Sequence, residues 1–273
     1  MFDFLQKVFD MNDEKKRKFT TPNNLNESVW DACEIMKYLT GKDWCRLKDI
    51  AEAMNIDTAK AHRLLNTMAH HDFIQYNEDT HRYRLGFQFY TIAYHMARSN
   101  LLSAAKPHLE HAAGELFETV NLGILANDKS QLVHIYRLDG GLFENYDDVA
   151  LGVNRDVNES ALGKSILAFL SYGEQHAILS RLEYRRYTEH TIVTQTALEE
   201  DLKLTKERGY AIDDFEIDER VYCIAMPIFD SEHRPFAAVS VVMIGKPSEA
   251  KKAKVLAVLS RTVKRIAKSL GYN

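Results

Sequence analysis

The chain has 273 residues, 45% of them hydrophobic and 27% charged, enough apolar mass for one large domain or two ordinary ones. That composition excludes a disordered chain and a disulfide miniprotein, and no apolar run approaches the ~18 residues of a membrane span or forms a secretory leader ahead of a small-residue cleavage site. The formal charge of -4, taken whole, argues against nucleic acid as a partner.

Residues 1–24 read as an extension. Phe2, Leu5, Val8 and Phe9 have the loose spacing of a short docking helix. Lys15-Lys16-Arg17-Lys18 then heads a turn-rich arm, either a solvated tail or an arm that touches phosphates. Order is expected from Ser28, where Ser28-x-x-Asp31 has the form of a capping box. Val29, Ala32, Cys33, Met36 and Leu39 predict an amphipathic helix closed by Gly41. Leu47, Ile50, Ala51 and Met54 predict a second helix, and Ala61, Leu64, Leu65 and Met68 a third. The short turn Asn55-Ile56-Asp57 between them gives a helix-turn-helix. Phe73–Tyr76 and His81–Leu85 flank a turn and predict a hairpin. Residues 25–86 thus read as a winged helix-turn-helix. Such a module binds DNA or, alternatively, another protein.

Phe87, Tyr90, Tyr94, Ala97 and Leu101 step by 3 and 4 alternately, an a/d seam. We read residues 87–103 as a linker helix that pairs with a second subunit; packing within its own chain is the alternative. Pro107 is expected to interrupt this run, with helix resuming to Glu118. Residues 104–273 read as a mixed α/β domain with helices on one side of its strands. Its strands are expected at Val120–Ala126, Leu132–Leu138, Tyr210–Asp213, Val221–Phe229 and Phe236–Ile244. Its helices are expected at Ala161–Leu170, Gly173–Leu182, Leu198–Arg208 and Ser248–Leu270. The fold class is therefore α+β.

At 100° per residue, the third helix turns Ala59, Arg63, Asn66 and His70 away from its apolar stripe, with Lys60 and Thr67 on one flank and His62 on the other. Arg suits guanine edges or phosphate, Asn adenine, and Lys phosphate. The helix start reads bases in such modules, which points to Thr58, Lys60, His62 and Arg63, with Asn66 further along. In the hairpin Arg82 and Arg84 alternate with Tyr83, so the arginines are expected to reach phosphates while Tyr83 packs inward. Each charge alone is an ordinary solvated residue; their concentration on one face is the signal.

Cys33, Cys45 and Cys223 form no CxxC pair, which points to a reducing cytoplasm and no cysteine zinc site. His108 and His111 sit three apart without an acidic cluster, so they read as surface histidines and no metal or cofactor is expected. Ser160 is placed to cap the helix starting at Ala161, leaving the N–H groups of Ala161 and Leu162 to face a carboxylate.

The chain resembles the IclR family of bacterial transcriptional regulators. The likeness is carried by Ile50-Ala51-Glu52-Ala53-Met54, His62-Arg63-Leu64-Leu65 and Tyr83-Arg84-Leu85-Gly86, then by Ala161-Leu162-Gly163-Lys164-Ser165, Arg208-Gly209-Tyr210-Ala211 with Asp213, Asp214 and Glu216, and Cys223-Ile224-Ala225-x-Pro227-Ile228 with Ala238-Val239-Ser240. The resemblance implies a winged helix, a linker helix and a GAF-like effector domain. It implies a regulator of the repressor type, a homodimer or tetramer on a palindromic operator in double-stranded DNA, whose affinity responds to a small organic, sugar or aromatic acid. It further implies that Ala161, Leu162, Asp213, Cys223 and Ser240 line the effector, Asp213 bonding a hydroxyl or keto group.

Three departures stand out. Ala59 and Lys60 replace Ser and Thr, adding a charge and altering the operator; Asn158 and Glu159 replace His-Ala, and Glu159 would repel an anion if it faced the pocket. Val242–Pro247 replaces a Ser-Gly-Pro strand end, which favours a less polar effector or none. A cysteine-dependent enzyme built on Cys223 is an alternative, but no GxSxG, HExxH or Gly-rich phosphate loop accompanies it. A dimeric scaffold without DNA binding is the other. Resolved by position, the charge changes meaning: residues 1–100 carry 14 Lys+Arg against 14 Asp+Glu, so the acidity lies wholly in the remainder. The phosphate footprint of one subunit is therefore small and local.

Overall fold

The computed structural model describes residues 25–97, 100–126, 129–140 and 154–272. The helix expected at Phe2–Phe9, the Lys15–Lys18 arm and most of the Asn127-Asp128-Lys129 turn lie outside these residues. The chain divides into two compact units, one ending at Met96 and the other beginning at Ala97.

In the first unit α1 spans Glu27–Leu39. Its cap is Asn26, two residues earlier than the sequence suggested: Asn26 Oδ1 accepts from the N–H groups of Ser28 at 3.1 Å and Val29 at 3.2 Å. Ser28 is inside the helix, so it caps nothing. α2 (Leu47–Met54) ends on Asn55, held at a φ of 52°, and α3 (Thr58–His70) starts from Asp57, whose carboxylate accepts the Lys60 N–H. β2 (Ile74–Asn77) and β3 (Arg82–Leu85) form the expected hairpin, Ile74 facing Leu85. A two-residue strand, β1 (Cys45–Arg46), pairs Cys45 with Tyr83 and completes a three-stranded sheet. So short a piece carries no periodicity to read. Ile35, Leu39, Ile50, Leu65, Met68, Ile74 and Tyr83 close one core beneath the three helices and the sheet. Gly86 follows β3 against the Asp72 carbonyl, where an added Cβ would lie 2.1 Å from the oxygen. α4 (Gln88–Ala97) follows, with Phe87 and Tyr90 at 60% and 75% exposure. The side chains of Tyr94 and Ala97 lie outside those described.

The second unit opens with α5 (Asn100–Leu116), which runs through Pro107. The expected break does not occur. Ala105, Leu109, Ala112, Ala113 and Leu116 bury one face of this helix in the core, and that packing outweighs the ~3 kcal/mol an internal proline costs. Among the described residues six antiparallel strands follow: β4 (Thr119–Leu125), β5 (Gln131–Leu138), β6 (Asn154–Asp156), β7 (Ala211–Asp214), β8 (Val221–Phe229) and β9 (Pro235–Ile244), in the order β6-β5-β4-β9-β8-β7.

Helices cover both faces, not one. On the first, α5 and α9 (Glu249–Ser269) pack on Val120, Leu122, Ile224, Val239 and Val241. On the second, α6 (Ala161–Leu167) brings Ala161, Leu162 and Ile166 against Leu132, Ala211, Ala225 and Ala238. β8 and β9 are buried on both faces, so they read as near-continuous apolar runs and hide which face each residue takes. α7 (Tyr172–Leu179) and α8 (Gln195–Arg208) complete a smaller core with Val157, Leu167, Leu198 and Leu202. α6 is three residues shorter than expected. Gly163 lets it approach the turn Val157–Glu159, since a Cβ there would sit 1.9 Å from the Val157 carbonyl oxygen.

Candidate functional site

Two sites are candidates, one in each unit. The first is the outward face of α3. Ala61, Leu65 and Met68 are buried, while Thr58, His62, Arg63, Asn66 and His70 are exposed, as the 100° placement requires. Asn66 lies 3.3 Å from His62 Nε2, and the Thr67 hydroxyl donates to the Arg63 carbonyl at 2.8 Å. Thr58, His62, Arg63 and Asn66 are therefore brought together on one solvent-facing ridge.

Lys60 is placed differently from its neighbours. Its ammonium bonds Glu27 at 2.6 Å and Asp31 at 2.7 Å and keeps 23% side-chain exposure. Asp31 and then Glu27 raise its pKa. Lys60 thus ties the start of α3 to α1, and its charge is already met. Arg84 is also occupied: it donates to Gln75 at 2.8 Å and lies 4.5 Å over the Trp44 ring. Arg82 is exposed and donates to the Trp44 carbonyl at 3.4 Å. Tyr83 points inward at 3% exposure. Register adds a cation that was missed: Arg46 lies opposite Arg82, exposed and bonded to Asp49 at 2.9 Å.

The second site is a cavity of about 60 Å³ between the sheet and α6. Ala161, Leu162, Asp213, Cys223 and Ser240 all line it. They come from one helix and three strands, and β7 and β8 pair Asp213 directly with Cys223. Ser160 Oγ accepts the Gly163 N–H at 3.1 Å, which fixes the start of α6 over the cavity.

Asp213 Oδ1 accepts the Glu216 N–H at 2.7 Å. Burial, with the Glu216 carboxylate beside it, pushes the Asp213 carboxyl up to about 7, so near neutral pH it serves as donor or acceptor. Behind it Lys164, fully buried, bonds Glu216 at 2.6 Å and Asp201 at 2.9 Å. Burial, then Asp213 and Glu216, push the Cys223 thiol far above its usual range. A nucleophilic cysteine needs the opposite setting, near cations or a base.

Sequence reasoning missed four polar members of the wall: Asn121, His134, Arg137 and Arg155. Polar residues inside apolar strands were the available signal for Asn121 and His134. Arg137 had none, because its direction depends on a bulge. Leu122 pairs with Tyr136 but Gly123 pairs with His134, leaving Ile135 as an extra residue on β5. Glu159 does line the cavity, bonded by the Tyr187 hydroxyl at 2.5 Å. Burial raises its pKa, and the Tyr187 hydroxyl and Arg155 act against that shift. Val242 also lines the cavity, on the apolar side. Among the described residues no cluster of three or more His, Cys, Asp or Glu is placed to hold a metal, and no helix is long and apolar enough to cross a membrane.

Residues 93–269 match the bacterial transcriptional regulator IclR C-terminal domain, and residues 32–78 match the IclR helix-turn-helix domain. The chain is 29% identical over 230 residues to the transcriptional regulator XynR of Escherichia coli, covering 83% of this chain and 90% of that one. It is 30% identical over 204 residues to the transcriptional repressor IclR of the same organism, covering 71% of each. The crystal structure of Thermotoga maritima IclR superposes with a TM-score of 0.71 at 27% identity, over 90% of this chain and 99% of that one. These relatives are regulators of transcription, not enzymes.

Proposed function

The chain belongs to the IclR family of bacterial transcriptional regulators, with its helix-turn-helix DNA-binding domain, and on that premise we propose that a small acid in the second-unit cavity sets its affinity for a palindromic operator. The observation that carries this reading is the convergence of Ala161, Leu162, Asp213, Cys223 and Ser240 on one cavity. Asp213 is one link away, through Glu216, from the buried Lys164.

On the DNA side, Arg63 and Asn66 read base edges with Thr58 and His62, and Arg82 contacts phosphate. Lys60 and Arg84 shape the surface instead. Phe87 and Tyr90 stay exposed on the first unit, which supports a seam with a second copy, and residues 87–103 then act as the dimerising linker between residues 25–86 and 104–273. One neutral DNA-binding half holds too few phosphates alone, so two or four subunits share the operator, in the cytoplasm and as a repressor. Fluorescence anisotropy on DNA from the gene's own promoter tests this. Binding saturates and weakens steeply with salt, and an acid that raises the melting temperature changes the affinity. Absence of saturable binding at low salt would refute it.

A further inference from the structure

The C-terminal helix α9 gathers positive charge that the rest of its unit lacks. Glu249–Ser269 carries seven lysines and arginines against one carboxylate, whereas the remainder of residues 101–273 carries 14 against 24. Four of the seven have a contact within the fold. Lys251 pairs with Glu118 and Arg261 with Glu115, Lys254 Nζ donates to the Glu115 carbonyl at 3.1 Å, and Lys252 lies 6.0 Å from the centre of the Tyr210 ring. Lys264, Arg265 and Lys268 are exposed, and among the described residues none of them pairs with a carboxylate. With Arg261, Ala257 and Ser260 they line a shallow groove of about 400 Å³.

The stability of the helix does not ask for this row. Arg261, Lys264, Arg265 and Lys268 stand three and four residues apart, where like charges destabilise a helix. The helix dipole favours a cation in the last turn, which accounts for Lys268 alone. An anion from outside relieves the repulsion among all four. A two-fold contact between copies centred on this face would instead set the row against itself. The face also has a defined place in its unit. His108 lies 3.0 Å from the Ser269 hydroxyl, while Glu115 meets Lys254 and Arg261, so α9 runs antiparallel to α5. The basic turns therefore lie at the end of the unit where the chain arrives from the helix-turn-helix unit.

We propose that this face of α9 binds the phosphates of duplex DNA flanking the base pairs read by α3. The row offers charge and no base-reading amide, so it suits the phosphate backbone and carries no sequence preference. It supplies cations to a chain whose DNA-binding half is neutral overall. The inference rests on the operator reading above and adds a second DNA-contacting surface to it.

Anisotropy of the full chain on two duplexes from the gene's own promoter tests it. One is the shortest that binds saturably; the other is the same duplex lengthened by about ten base pairs at each end, about one turn. The parent binds the longer duplex more tightly and with a steeper salt dependence. Lys264→Gln together with Lys268→Gln weakens binding to the longer duplex about tenfold at low salt, lowers its salt slope by about 1–2 and leaves the shorter duplex unaffected. The charge-matched control, Lys203→Gln with Lys206→Gln at exposed positions of α8, changes neither. Melting curves and sedimentation are expected to show that both double variants fold and keep the parent's subunit number. A parent indifferent to the added length, or a folded Lys264 and Lys268 variant that matches it on both duplexes, overturns the proposal and leaves the operator reading standing. So does a change in subunit number alone, which would give the face to an acidic surface of a second copy. If no duplex binds saturably, both readings fall.

Discussion

At pH 7 the carboxyl of Asp213 stands near half-ionisation, because burial and Glu216 raise it from 3.8 to about 7. The folded protein then holds a proton that the unfolded chain has released, so stability falls as pH rises from about 4 to about 7 and is level above that. The ceiling on this loss is about 4 kcal/mol. Asp213→Asn keeps an oxygen to accept the Glu216 N–H and removes the charge. Urea unfolding at pH 8 is expected to find this variant more stable than the parent, and at pH 4 to find no difference; a parent that is as stable at pH 8 as at pH 4 contradicts the assignment. On α3 the two basic residues separate by partner. Arg63→Ala is expected to weaken operator binding by about 1–3 kcal/mol, read by anisotropy. Lys60→Ala is expected to lower the melting temperature, because Glu27 and Asp31 lose their shared cation, with little change in the salt dependence of binding. A unit drop in the salt slope for Lys60→Ala would return it to the phosphate contacts.

Elements differ in how much of themselves they write into sequence. The bounds of α2 and the buried stripe of α3 are legible in the sequence, since an apolar stripe at 3.6-residue period needs only local pattern. The cap of α1 was misplaced by two residues because Asn26 and Ser28 are both good cap residues and only geometry chooses. Pro107 was read as a break because the burial that overrides it is tertiary. β5 was found as a strand, yet the phase change at Ile135 depends on its pairing with β4, so Arg137 was invisible as a site residue. The five effector positions came from family likeness, whereas the four polar wall residues came only from the fold. Gly163→Ala drives a Cβ into the Val157 carbonyl and is expected to cost about 1–3 kcal/mol and to shift the cavity. An unchanged melting temperature would mean that the approach of α6 to that turn is looser than described.

At the scale of the molecule, the net charge of -4 conceals its arrangement. The DNA-binding half is neutral overall, and of its nearby cations Lys60, Arg84 and Arg46 are already bonded within the fold. Under the proposed reading, with few unbonded cations on that face among the described residues, two or more subunits share one operator. Residues 101–273 carry the whole net acidity, while Arg137 and Arg155 line the cavity of the second unit. The account's central claim is that occupancy of this cavity changes the grip on DNA. The direct measurement is the operator dissociation constant of the full chain, by anisotropy at fixed salt, with and without a saturating amount of an acid shown to bind. The account predicts a change of about fivefold or more, matched by an equal change in acid affinity when operator is present. An operator affinity that stays the same at saturation contradicts it.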